Sequence, residues 1–216
     1  GSKKLIAKSK SMVTEEIELN AALGKAGHKV VETDLGEYIV QLRHEKPSHI
    51  ITPAVHLRRE DVAQLFHEEL GIPYTKDIPT LTEVARQKLR KIFLDADIGI
   101  SGINFGVAES GSLCIITNEG NGRMVTTLPR THIAVMGMER LLSNMDDLAL
   151  MLSLLPRSAT TQKITVYTQF IQKPLPGQER HLIFLDNGRS NLRQTPINDS
   201  LLCIRCGACL NACPIF

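Results

Sequence analysis

The sequence predicts an α/β fold: a three-layer, Rossmann-like sheet carrying an inserted antiparallel segment. Up to about residue 96, short β-branched runs alternate with segments of helical period, the order that builds a parallel sheet covered on both faces. From 97 to 137 the character changes to strand-like pieces joined by short Gly/Asn turns, which suits an antiparallel insertion. At 216 residues, 43% of them hydrophobic and 22% charged, the chain can bury a sizeable core, and overall disorder is excluded.

The elements follow in order. "KKLIAKS" (3–9) reads as a strand, and "VTEEIELNAALGKAG" (13–27) as a helix with Thr14 near its start and glycines at its end. "HKVVETD" (28–34) is a strand, "GEYIVQLRH" (36–44) a short helix and "SHIITP" (48–53) a strand. Two amphipathic helices come next, "RREDVAQLFHEELG" (58–71), with Val62, Leu65, Phe66 and Leu70 on one face, and "TLTEVARQKLRKIFLDA" (80–96). Strand-like pieces follow at 97–106, 111–119, 122–129 and 131–137. A long helix is expected from Met138 to Leu155, ended by Pro156. Two further strands, 163–172 and 181–188, flank the turn-rich "KPLPGQE". The polar stretch "RSNLRQTPINDS" then leads into the cysteines, so the α/β domain is expected over 1–189 and an appended module over 190–216.

The formal charge is only +2 and no long Lys/Arg run occurs, so no nucleic acid is expected as a partner. The longest apolar run, "LALMLSLL" at 148–155, falls far short of the roughly 18 residues a membrane span needs. One isolated thiol, Cys114, plus one tight cluster is the pattern of a metal site in a reducing compartment, which makes a cytoplasmic location the expectation. The leading Gly-Ser reads as a cloning remnant, and both ends are expected to be cut.

The cluster is "CIRCGACLNACP": Cys203, Cys206, Cys209 and Cys213, followed by Pro214. C-x2-C-x2-C-x3-C-P is the spacing of bacterial ferredoxin-type iron–sulfur ligation. Three thiolates wrap one cube and the fourth serves another cluster. Zinc accepts four thiolates as well, but its sites usually pair two knuckles across a longer loop. A [4Fe–4S] cluster is therefore the expected cofactor. No second run is present to share Cys213, so this chain is expected to hold a cluster poorly or not at all. Cys114, in the apolar "SLCIIT", is expected to be an inert core residue.

Two other polar stretches stand out. "AKSKSM" (7–12) brings Lys8 and Lys10 to a strand-to-helix junction suited to an anion, although serines there also serve as ordinary caps. "GVAESGSLCIITNEGNGRMVTTLPRTH" sets Glu109, Ser110, Asn118, Glu119 and Arg123 among glycines at strand ends, where open α/β sheets hold ligands; the competing reading is that "NEGNG" only makes turns. Asp34, Thr52 and His56, at other strand ends, are candidates for the same cleft. No G-x-S-x-G, no paired histidine motif and no G-x-G-x-x-G after a strand is found.

Taken with "KSKSMVTEEIELN", "VVETDLGEYI", "PSHIITPA", "ADIGISGINFGVAESGSLCIITNEGNGRMVTTLPRTHIAVMGMERL" and "DNGRSN", the cysteine run makes the chain resemble the lactate-utilisation protein B family, iron–sulfur proteins of bacterial lactate-oxidising systems. The resemblance implies a lactate-utilisation (LUD) domain with a fold similar to the NagB/RpiA/CoA-transferase class of sugar isomerases and CoA transferases. It also implies a downstream module with two [4Fe–4S] clusters, and companion subunits A and C as partners. The expected function is electron transfer in a system oxidising L-lactate to pyruvate, with lactate or an electron carrier met only indirectly and catalysis proper elsewhere in the complex. The alternative is that the α/β domain itself binds or turns over a small carboxylate or CoA-type ligand, with Glu109 or Glu119 as base or nucleophile and Lys8, Lys10 and Arg123 holding the anion.

Overall fold

The computed structural model describes residues 2–49 and 51–215. The first sheet begins with β1 (Leu5–Lys8), followed by two short helices, α1 (Met12–Glu15) and α2 (Leu19–Lys25), and then β2 (Lys29–Glu32). The single helix expected over 13–27 is broken where Glu18 takes a left-handed φ of 50°. Three helices follow: α3 (Leu35–Leu42), α4 (Arg59–Leu70) and α5 (Ile78–Asp95). Asp77 caps α5 by accepting the Thr80 N–H at 3.0 Å. Its Leu81, Ala85, Leu89 and Phe93, four apart, form the buried face. Gly71, at φ +69°, closes α4 in the left-handed conformation that favours glycine.

The second half supplies β3 (Ile98–Gly102), β4 (Phe105–Val107), β5 (Ser112–Thr117), α6 (Asn121–Thr127) and β6 (Thr131–Gly137). After a 3-10 turn at Met138–Arg140 come β7 (Leu141–Leu142), α7 (Met145–Thr160), β8 (Tyr167–Ile171), β9 (Glu179–Leu185) and α8 (Arg189–Leu192). A second 3-10 turn, Asn198–Leu202, precedes α9 (Ala208–Ala212). One sheet has the order β2-β1-β3-β6-β9 with every pairing parallel; the other, β7-β4-β5-β8, is antiparallel except for β4 with β7. An α/β fold with an antiparallel second sheet is thus what the chain adopts.

Three further expected elements differ. The stretch "GRMVTTLP" forms α6, not a strand. β3 and β6 lie side by side and parallel, so the chain between them must cross over. Val125 of α6 is fully buried, and Gly99 of β3 lets the helix come close: a Cβ there would stand 2.0 Å from the Val125 carbonyl oxygen. Among the described residues of 48–53 no strand forms, Ile50 lying outside them; the His49 imidazole Nδ1 instead accepts the backbone N–H groups of Ile51 and Thr52. The long helix begins only at Met145, because Asn144 caps it by accepting the Asp147 N–H at 2.9 Å, and it runs through Pro156 to Thr160. Asn144→Ala is expected to cost about 1 kcal/mol, read from the urea midpoint.

Cys114 is fully buried among Phe105, Val107, Leu148 and Leu155, and burial pushes its thiol up to about 12, as an inert core residue requires. β9 is an edge strand, and it leaves Leu182, Ile183 and Phe184 exposed. Among the described residues no helix is long and apolar enough to cross a membrane.

Candidate functional site

β1 leads out to β2 on one side of the parallel sheet, while β3, on its other side, leads towards β6. The chain direction therefore reverses between β1 and β3, and the crevice beyond their carboxyl ends is where open α/β sheets take ligands. A cavity of about 330 Å³ lies there. Its floor is Ser9 to Val13 after β1, Gly102 to Phe105 after β3, Asp34 after β2 and Arg140 after β6. Residues of β5 and α6, the end of α7, and Ile204 and Arg205 of the cysteine segment close over it. Gly102 permits the close approach of the loop after β1: a Cβ there would sit 2.5 Å from Ser11 Oγ.

The end over β2 is crowded with charge. Lys8 Nζ meets Glu32 Oε1 at 2.6 Å, with the two side chains only 1% and 5% exposed, and Asn20 Nδ2 donates to the same oxygen. The Lys10 backbone N–H and Asn121 Nδ2 both donate to Asp34 Oδ2 at 2.7 Å, and Lys10 Nζ lies 3.2 Å from Glu37 Oε1. Burial, with Glu32 adding to it, raises the Asp34 carboxyl above its ordinary range. Glu37 is pushed up to about 7 by burial, against the pull of Lys10. Glu119 is exposed in outline, but its carboxyl accepts the Leu35 N–H at 3.2 Å and is raised by desolvation and then by Asp34. Asn121 Oδ1 is buried without a hydrogen-bond partner among the described residues.

The end over β6 is a guanidinium cluster. Arg189 donates Nε to Glu139 and Nη1 to Glu16 Oε1 at 2.8 Å, and Arg205 donates Nη2 to Glu16 Oε2 at 3.0 Å. Arg140 Nε stands 3.4 Å from Glu139 Oε1.

With fold and cleft in hand, the comparisons decide the family: the LUD domain family model matches residues 1–183. The chain belongs to the LUD domain family. It is 52% identical over 220 residues to the Lactate utilization protein B of Macrococcus caseolyticus, covering 99% of this chain and 46% of that protein. It is 48% identical over 217 residues to the Uncharacterized electron transport protein YkgF of Escherichia coli, covering 98% and 46%. The chain thus spans about half the length of the curated relatives it matches. A solved structure of a duf162 family protein from Deinococcus radiodurans matches with a TM-score of 0.35 and 10% identity, over 84% of this chain and 88% of that one.

Of the candidate residues in this LUD domain, Lys10, Asn118 and Glu119 line the cavity, and Lys8 lies beneath it on Glu32. Glu109, Ser110 and Arg123 are not brought to it. Glu109 Oε2 accepts the Met145 N–H at the start of α7, Ser110 Oγ donates to Ser112 Oγ at 2.8 Å, and exposed Arg123 sits 5.8 Å from the Tyr167 ring centroid. Asp34 lines the cavity; Thr52 and His56 do not, and His56 instead pairs with Ser48 and Glu45. Sequence reading missed Arg140 and Arg205. The signal available for Arg140 was "MER", a charged pair directly beyond the carboxyl end of a strand.

Cys203, Cys206, Cys209 and Cys213 are free thiols, all but the half-buried Cys206 exposed. Arg205 and Gly207 take left-handed φ of 57° and 76°, turning the chain sharply between Cys203 and Cys209. Ile204 and Cys206 pack on the Phe105 and Leu148 core, and Asn211 Oδ1 pairs with His49 Nε2 at 3.1 Å. Among the described residues no three His, Cys, Asp or Glu side chains converge as metal ligands; thiols are the donor type that iron–sulfur clusters take.

Proposed function

We propose that the chain belongs to an iron–sulfur electron-transfer subunit of a system that oxidises L-lactate to pyruvate, working in the cytoplasm with companion lactate-utilisation subunits A and C. The observation that carries this reading is C-x2-C-x2-C-x3-C-P, a spacing made for cube ligation, set on a segment docked against the LUD domain. The relatives' names, Lactate utilization protein B and electron transport protein, support it. Residues 1–189 serve as the α/β domain, of the sugar-isomerase and CoA-transferase class, and 190–216 as the linker and first half of a two-cluster module.

In this reading Cys203, Cys206 and Cys209 hold one cube, and Cys213 reaches towards a second. When bound, a cube passes single electrons and does not abstract hydride. The chain's own part is positional. Arg205, between two of the cysteines, fastens the loop to Glu16, while Ile204 and Cys206 seat it on the apolar core and hold one side of it out of water.

Anaerobic reconstitution of the protein extended to the length of its relatives tests the reading. Iron and sulfide are expected in equal amounts, with visible absorbance that bleaches when lactate and the partner subunits are added. Cys206→Ser is expected to lower the iron content. Tight zinc binding with iron refused would overturn the assignment.

A further inference from the structure

The ion-pair network over β6 is rich in guanidinium. Glu139 accepts a hydrogen bond from Arg189, with Arg140 Nε and Arg205 Nη2 3.4 and 3.6 Å away; Glu16 takes Arg189 and Arg205. Three guanidiniums therefore share two carboxylates. The Asp186 carboxylate adds a charge beside Arg189 but spends its hydrogen bonds on the Ser190 N–H and hydroxyl, at 2.8 and 2.6 Å, and on the Gly188 N–H.

Arg140 is the least satisfied of the three. Its side chain is only 8% exposed and lines the cavity, yet among the described residues its sole side-chain polar contact is the 3.4 Å approach to Glu139. A guanidinium carries five N–H donors in a planar fork that fits an oxyanion. Arg205 lines the same wall.

The rest of the cavity limits what can enter. Asp34 follows β2 and Arg140 follows β6, three strand spacings apart in the sheet or about 14 Å. Between them run apolar Ile103, Phe105, Leu155 and Ile204, and at the far end the unpartnered Asn121 Oδ1 awaits a donor. A volume of about 330 Å³ lies at the lower end of the range for ligand pockets, roughly 300–1,000 Å³.

We propose that this cavity is the binding site of a small organic acid, whose oxyanion group is held by Arg140 and Arg205. The site goes beyond the electron-transfer reading and does not rest on it. Because Ile204 and Arg205 belong to the cysteine segment, the loop that presents Cys203 and Cys206 also completes the ligand's seat, so occupancy of the cavity and docking of that loop reinforce each other.

Calorimetric titration of this chain, free of iron, with pyruvate, L-lactate and inorganic phosphate tests the proposal. One of the two acids is expected to bind, and more tightly than phosphate. Arg140→Gln and Arg205→Gln should each weaken it by about tenfold or more, whereas Arg86→Gln on the far surface of α5 leaves it unchanged. If Arg140→Gln fails to fold, by its circular dichroism, the less buried Arg205→Gln decides. Binding of phosphate alone overturns the organic-acid assignment. No heat from any of the three, or binding that survives both substitutions, overturns the site. So does an Arg140→Gln variant that titrates like the parent but shifts the reduction potential of the iron-loaded longer protein, since the guanidinium would then act on the cluster and not on a ligand.

Discussion

Lys8→Met is expected to destabilise the protein by about 3–5 kcal/mol, the usual result of removing one partner from a buried ion pair. The Lys8 ammonium is Glu32's cationic partner, both side chains are almost wholly out of water, and Glu32 Oε2 already lacks a hydrogen bond among the described residues. Without Lys8, Asn20 alone would face the stranded carboxylate. The double variant Lys8→Met/Glu32→Leu should recover most of the loss, because it removes both desolvation costs together. Urea unfolding measures the effect, with the midpoint moving and the slope unchanged. A single-variant loss below about 1 kcal/mol would show the pair to be hydrated in solution.

Stability is next expected to fall by on the order of 2–3 kcal/mol between about pH 4.5 and 7 through Glu37 alone. Burial raises this carboxyl from its ordinary 4.5 to about 7, so between those values the folded state holds a proton that the unfolded chain has released. Stability with the proton in place is full below the unfolded value and declines as pH climbs through the folded one. Lys10 opposes the shift, and Glu15 and Glu32 add to it. Glu37→Gln keeps the shape and removes the charge, so its unfolding free energy should vary less over this interval and exceed the parent's at pH 8. Equal slopes for parent and variant would refute the account.

Much of the architecture can be read directly from the sequence, because local period and burial agree in it. The fourfold spacing of Leu81, Ala85, Leu89 and Phe93 and the β-branched run after His28 each permit one outcome. α6 was illegible because Val125, Thr126 and Thr127 favour a strand, and only the need to cross from β3 to a parallel neighbour overrules them. In the site, Lys10, Asn118 and Glu119 were legible from a strand-to-helix junction and a polar turn. Glu109 was misleading, since a carboxylate near a strand end looks the same whether it meets a ligand or receives the first N–H of a helix. Arg140 and Arg205 could not be paired beforehand, because only docking of the cysteine segment brings the two guanidiniums to one cavity.

The bond from Glu16 to Arg205 joins residues 189 positions apart. Among the described residues, nothing after Leu185 contributes a strand to either sheet. The sheets' ladders already fix the chain as far as Leu185, so seating the tail closes only the short remaining loop, at an entropy cost that grows logarithmically with its length, about 0.6 kcal/mol per doubling. The thiol-bearing tail thus adds its contacts to two sheets whose ladders are complete without it.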